Sequence, residues 1–169
     1  IGSNDGVFLQ HLKAKNIKFL GIDPSKNVGK IANSKDLTTI IDFFNKNTVN
    51  KITKKYGKPN IVVASSIFTH LKDPNRFIKN LKLLLPKNGT FILEIEYWKS
   101  IINKKQFERF YFDRPFYYSL NSINKLFSKN KMSLVNYEKI NTHGGSIRCY
   151  IKNNLNIKKS KKLNIELKR

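Results

Sequence analysis

The sequence predicts an α/β fold: a mostly parallel sheet with helical crossovers, closed at its C-terminal end by an antiparallel hairpin. Three observations predict it. Short apolar runs of strand length alternate with stretches of helical spacing over residues 1–98, the pattern of a parallel sheet with right-handed crossovers. The run NIVVASS, residues 60–66, is continuous and β-branched, as in a strand buried on both faces. Two further runs, residues 133–140 and 146–151, are separated only by NTHGG and read as a hairpin.

Each element has a local reason. The chain opens in a glycine loop, IGSNDG, whose feeding strand is expected before Ile1, so the first strand of the sheet is truncated here. A helix over residues 6–15 carries Val7, Leu9 and Leu12, and a strand over 18–22 stops at Asp23. Pro24 and Ser25 suit the first turn of a helix that runs through residue 33. The next strand, 38–41, stops at Asp42, and a helix over 47–56 ends at Gly57. After NIVVASS, Asp73 caps a helix with Pro74 in its first position. Phe77, Ile78, Leu81, Leu84 and Leu85 recur there at helical spacing until Pro86 and Gly89. TFILEIEYW, residues 90–98, is the strand that follows. FERFYFDRPFYYS, residues 107–119, is dense in aromatics and has neither period, and a helix over 120–130 leads into the hairpin. The domain proper is residues 1–152. The polar, basic stretch 153–169 reads as a linker helix toward a further domain or as a frayed tail.

A chain of 169 residues, 40% hydrophobic, suits one domain with its own core. No apolar stretch approaches the roughly 20 residues needed to cross a bilayer, and no basic segment precedes a long apolar one at the start. The single cysteine, Cys149, excludes an internal disulfide and a cysteine-based zinc cage within this chain, and a reducing cytoplasm is the expectation. The net charge is +22, nearly all of it from lysines scattered along the chain, as an AT-rich coding bias produces. Such a surface favours an anionic small-molecule substrate, with nucleic acid as the alternative partner. Against that background the 11 acidic residues are informative: Asp23, Asp42, Glu94 and Glu96 fall at or near the ends of apolar runs.

The front half suggests a ligand. Gly2 and Gly6 let backbone approach a bound molecule, with the next helix pointing its N-terminus at the loop. An acid ending the next strand, Asp23, suits the two hydroxyls of a ribose, and it also suits a helix cap before Pro24. Asp42 and Phe43 suit an adenine, the carboxylate taking the amino group and the ring packing on the base; the alternative is a solvated aspartate beside two core phenylalanines. The loop spacing G-S-N-D-G lacks the middle glycine that admits a pyrophosphate, which favours S-adenosylmethionine over a dinucleotide.

Together IGSNDGVFLQHL, GIDPS, DFF, the stretch from Ser65 to Tyr97 and HGGSIRCY resemble the class I S-adenosylmethionine-dependent methyltransferases, and among them the C-methyltransferases of nucleotide-linked keto-sugars. The resemblance covers residues 1–151. It implies a Rossmann-like, seven-strand methyltransferase sheet whose last strand is antiparallel. It also implies an N-terminal zinc-binding module and a C-terminal α/β domain elsewhere in a full-length protein. Residue by residue, Gly2, Asn4 and Gly6 match the glycine motif, Asp23 the ribose-binding acid, and Asp42 and Phe43 the adenine side. Ser65, Ser66 and His70 match the mouth near the methionine part of the cofactor.

The family assigns proton transfer to a stretch with the sense Tyr-x-Glu-His. Here it reads Tyr111, Asp113, Arg114, followed by PFYYS. Arg114 replaces the histidine and stays protonated, so it cannot serve as a base; lowering the pKa of Tyr111 or steadying an oxyanion or a phosphate is within its reach. The alternative for the whole stretch is a hydrophobic flap on the sheet edge with Asp113 and Arg114 paired on its surface. His143, before two glycines, is a further candidate for the same cleft. The implied function is methyl transfer to a carbon of a nucleotide-linked keto-sugar. Oxygen or nitrogen methylation, including of RNA, and a non-catalytic cofactor-binding domain are the alternatives.

Overall fold

The computed structural model describes residues 1–155 and 157–168, and the chain divides into two units, Ile1–Gly57 and Lys58–Arg169. The first unit contains α1 (Val7–Lys13), β1 (Gly21–Asp23), α2 (Lys26–Ser34), β2 (Thr39–Ile41) and α3 (Lys46–Tyr56). β1 and β2 are parallel, with Gly21 opposite Thr39 and Asp23 opposite Ile41. β1 is shorter than the apolar run predicts, because residues 18–20 lead into it without joining the ladder. Leu9, Ala32 and Leu37 form the core, with Leu12 and Phe19 packed against it. Gly6 precedes α1 at φ 83°, and a Cβ there would stand 2.5 Å from Leu37 Cδ1, so both backbone and packing demand glycine. Asn45 caps α3 by accepting from the Thr48 amide.

The second unit contains β3 (Ile61–Ser65), α4 (Pro74–Leu84), β4 (Thr90–Glu96), α5 (Trp98–Asn103), α6 (Leu120–Lys129), β5 (Ser133–Ile140), β6 (Ser146–Lys152) and α7 (Lys161–Leu167). Its sheet has the order β3-β4-β6-β5. β3 and β4 are parallel, and β6 runs antiparallel to both β4 and β5. The predicted hairpin therefore forms, and its second strand inserts beside β4. The described residues carry six strands in sheets of two and four, not the seven-strand sheet the resemblance implies.

NIVVASS also departs from expectation. Val62 and Ala64 are buried, whereas Ile61 and Ser65 are exposed, so β3 alternates instead of burying both faces. The same alternation runs along β6, where Ile147, Cys149 and Ile151 are buried and Arg148, Tyr150 and Lys152 are only partly so. The reason lies in the second face. It carries a polar row in which Arg148 donates to Glu94 Oε1 through Nε at 2.7 Å and lies 3.8 Å from Glu138. The apolar face packs against rings. Phe68, Phe91 and Phe127 are fully buried, with Phe68 5.6 Å from Phe77 edge-on and 5.9 Å from Phe127 stacked.

The helices follow their local signals. Asp73 caps α4 by accepting from the Arg76 amide, with Pro74 in the first turn. Ser119 and Ser122 form a reciprocal capping box on α6. Trp98 begins α5 and does not end the strand. Within the basic stretch left open as linker helix or tail, Lys161–Leu167 form α7. It is docked by a local irregularity: the β5–β6 register shifts between Leu134 and Asn136, and the Val135 carbonyl accepts from the Ser160 amide at 2.8 Å. Leu163 of α7 is fully buried.

Candidate active site

In the first unit the glycine loop and the end of β1 meet. The Gly2 and Ser3 amides both donate to the Ile22 carbonyl, at 2.8 and 3.2 Å. Asp23 then faces the loop. Its Oδ2 accepts from the Asn4 amide at 2.8 Å, and its Oδ1 accepts from the Ser25 amide at 2.9 Å. Cap before Pro24 and loop partner thus coexist in one carboxylate, which is 9% exposed. Asn4 holds a left-handed backbone, φ 51°, and its Oδ1 accepts from the Asp5 amide. Gly2, Asn4, Gly6 and Asp23 are therefore one cluster.

Asp42 follows β2 and is tied to β1, its amide donating to the Asp23 carbonyl at 3.1 Å. Its carboxylate accepts from the Phe43 amide and from the Thr48 hydroxyl, each at 2.8 Å. Phe43 is 70% exposed, so it is no core residue. Two carboxylates and one open aromatic ring thus stand at the carboxyl ends of neighbouring parallel strands, where α/β sheets bind ligands.

In the second unit Ser65 ends β3 and Ser66 takes a left-handed backbone, φ 58°, while its amide donates to the Glu94 carbonyl at 3.0 Å. A single 3₁₀ turn, Phe68–His70, follows. The surface pair of the alternative reading does not form: Asp113 and Arg114 do not pair with each other. The His70 ring Nδ1 lies 3.3 Å from Asp113 Oδ2 and 3.3 Å from the Asp113 carbonyl. Arg114 Nη1 lies 2.5 Å from Glu96 Oε2, and its guanidinium sits over the Tyr111 ring, 4.5 Å from the centroid. Arg109 Nη1 reaches the other oxygen of Glu96 at 3.7 Å. The reason is burial. Glu96 is 7% exposed at the end of β4, and a carboxylate so far from water requires cationic partners more than an open aspartate does.

Tyr111 is fixed from both sides. Its amide donates to the Tyr117 hydroxyl oxygen at 2.8 Å, and that hydroxyl donates to the Arg109 carbonyl at 3.0 Å. Trp98, Phe110 and Tyr117 stack their edges nearby, with centroids 5.2 to 6.3 Å apart. His143 is exposed in a left-handed backbone, φ 49°. Its turn is held against α5 and the residues after it, the Gly144 carbonyl accepting from Lys104 Nζ at 2.7 Å. The site partners that sequence reasoning missed are Glu96 and Arg109. Glu96 carried a signal, an acid closing an apolar strand in a lysine-rich chain; Arg109 carried none.

Residues 1–136 match the family described as methyltransferase domain. A C-methyltransferase of Streptomyces niveus, NovU, is 27% identical over 146 residues, covering 86% of this chain and 35% of the relative. The chain thus spans about a third of the length of that curated relative. Among solved structures, a methyltransferase in complex with the Haloferax volcanii Trm112 methyltransferase activator superposes with a TM-score of 0.70 at 14% identity, over 90% of this chain and 80% of that one. Magnesium protoporphyrin IX methyltransferase (ChlM) from Synechocystis PCC 6803, solved with bound SAH, superposes with a TM-score of 0.64 at 16% identity, over 89% of this chain and 70% of that one. The loop–carboxylate cluster, the β3-β4-β6-β5 order and these matches agree, and the chain belongs to the methyltransferase domain family, with the class I S-adenosylmethionine-dependent methyltransferase fold.

Proposed function

We propose that the chain carries the catalytic domain of an S-adenosylmethionine-dependent methyltransferase whose acceptor is a small anionic molecule, a carbon of a nucleotide-linked keto-sugar. The observation that carries the cofactor is the Asp23 carboxylate facing the glycine loop, with Asp42 and the open Phe43 ring at the next strand end. Each Asp23 oxygen accepts from a backbone amide and keeps lone-pair capacity for a ribose hydroxyl. Gly2, Asn4 and Gly6 shape the loop for the amino-acid end, and Phe43 packs on the base. The seventh strand belongs to this reading, as do the zinc-binding module and the cytoplasmic setting. The 27% identity to a C-methyltransferase supports carbon as the acceptor atom.

The bound cofactor supplies a methyl group on a sulfonium, already a good leaving group. The protein must align the acceptor, exclude water and, for a carbon acceptor, take a proton from beside the carbonyl. His70 is suited to that last task. With Nδ1 directed at Asp113, its Nε2 is the nitrogen left for a substrate, and the carboxylate stabilises the imidazolium once the proton arrives. Tyr111 supplies a hydroxyl for the developing enolate oxygen. Arg114 is engaged by Glu96 and keeps its charge on the Tyr111 ring face. His143 is an exposed reserve candidate.

The cofactor reading is tested by titrating S-adenosylmethionine into the full-length protein by calorimetry. Asp23→Asn, which keeps the shape and one acceptor, is expected to weaken binding at least about tenfold, the cost of losing a charged hydrogen-bond acceptor. Unchanged affinity in a variant with wild-type thermal stability rejects it.

A further inference from the structure

The aromatic segment between α5 and α6 lacks regular secondary structure apart from one 3₁₀ turn, Phe107–Arg109, yet it holds Tyr111 and Asp113. Several of its rings face solvent: Phe107 and Phe112 are exposed, and Phe110 and Tyr111 are nearly half so. Apolar burial alone therefore does not hold this segment down. What the segment sends inward is charge. Arg109 and Arg114, five positions apart, have side chains 23% and 17% exposed and converge on the two oxygens of Glu96. Glu96 itself sits in the last position of β4, paired in register with Ser146 of β6, so its backbone is part of the rigid sheet. No other carboxylate among the described residues lies within ion-pair range of Arg114, and Glu108, the other acid near Arg109, is exposed.

We infer that Glu96 is a positioning residue: it staples both ends of the Arg109–Arg114 segment to the sheet and so sets Tyr111 and Asp113 against His70. The link to Tyr111 runs through Arg114, whose guanidinium covers the phenol ring while Nη1 is held by Glu96. The link to His70 runs through the adjacent residue, since Asp113 precedes Arg114 and reaches Nδ1 with its carboxylate and carbonyl. Removing the Glu96 charge leaves two guanidiniums in a poorly solvated place. Relieving them requires the segment to lift into water, because breaking one side of a buried ion pair costs more than the pair is worth. The inference rests on the proposed roles of Tyr111 and Asp113 only for its effect on turnover; its effect on the segment does not depend on them.

Both effects are measured on the full-length chain. Trypsin cleavage after Arg109 is followed by mass spectrometry, a bond-specific readout of local opening; Arg114 precedes Pro115 and is not cut. Glu96→Gln is expected to speed this cleavage at least about tenfold, as the opened population rises, and Arg114→Gln to do the same should Glu96→Gln fold poorly. Glu96→Asp restores part of the protection, and Glu108→Gln leaves cleavage unchanged. Turnover with a nucleoside-diphosphate keto-sugar is expected to fall about 10- to 100-fold in Glu96→Gln, in kcat more than in KM, because the reacting groups are misplaced. Wild-type cleavage in folded Glu96→Gln and Arg114→Gln overturns the staple. A loosened segment with wild-type turnover, while Tyr111→Phe and Asp113→Asn are slow, overturns the positioning role and leaves the catalytic reading standing. Fast Tyr111→Phe and Asp113→Asn variants reject the catalytic reading instead, and the staple is then judged on cleavage alone.

Discussion

Single residues decide the chemistry available at each strand end. Asp23 divides its two oxygens between the glycine loop and the start of α2, so two backbone amides fix the carboxylate. His70 and Asp113, 43 positions apart in sequence, meet through a nitrogen and a carboxylate at 3.3 Å. In the proposed reaction that geometry has the aspartate select the ring orientation and the histidine take the proton. Asp113→Asn is expected to slow turnover by about 10²-fold or more, and His70→Gln at least as much, in a steady-state assay of labelled methyl transfer. Equal rates in wild type and His70→Gln move the base elsewhere, to Tyr111 or His143. Asp23 could be picked out from sequence because it stands at the end of an apolar run, a position local pattern reveals. The His70–Asp113 pair could not, because a loop with no period carries no register to say which side chains meet.

Elements show how local signals and tertiary contacts divide the work. α4 and α6 form where capping residues and helical spacing place them, since both signals act within a few residues. The hairpin β5–β6 likewise follows from its alternation and turn. α7 is different. Its segment is rich in lysine, and nothing in its composition marks it as part of the domain. Leu163 is nevertheless fully buried, and Glu166 accepts from Lys99 Nζ at 2.8 Å. The decisive feature is the irregularity in β5, which turns the Val135 carbonyl out to Ser160. Leu163→Ala is expected to destabilise the full-length protein by about 2–5 kcal/mol in denaturant unfolding, the range for emptying a buried leucine site. A loss below about 0.5 kcal/mol, the size of a surface substitution, contradicts a docked α7. β3 is the element the sequence misled on: a continuous β-branched run looks doubly buried, but the neighbouring strands carry Glu94, Arg148 and Glu138 on one face.

At the scale of the whole molecule, charge and burial act together on stability. No helix among the described residues is long and apolar enough to cross a membrane. Burial raises several acids that are neutral at pH 7: the Cys149 thiol is pushed up from 9.0 to about 12, and the Tyr97 and Tyr118 phenols are raised, with Glu166 adding to the effect at Tyr97. Raised folded values mean that the unfolded chain releases these protons first. Their contribution is complete below the ordinary values of 9.0 and 10.0 and is lost as pH climbs through the folded ones. The denaturation midpoint is therefore expected to fall steadily above about pH 9, and Cys149 to resist thiol reagents at neutral pH until the chain unfolds. A flat stability profile between neutral pH and strongly alkaline pH, or a thiol that reacts at the rate of a free cysteine in the native protein, contradicts this burial.

By itself the sequence determined the α/β alternation, the helix starts, the C-terminal hairpin and the acids that end the first two strands, because periodicity, capping and turn chemistry act over a few neighbouring residues. Only the tertiary structure decided that Arg114 answers Glu96 and not Asp113, that Asp113 answers His70, and that Lys161–Leu167 dock as α7. Those choices are set by which carboxylate is hidden from water and which carbonyl a bulge releases. Both depend on contacts between residues far apart in the chain, and no local pattern encodes them.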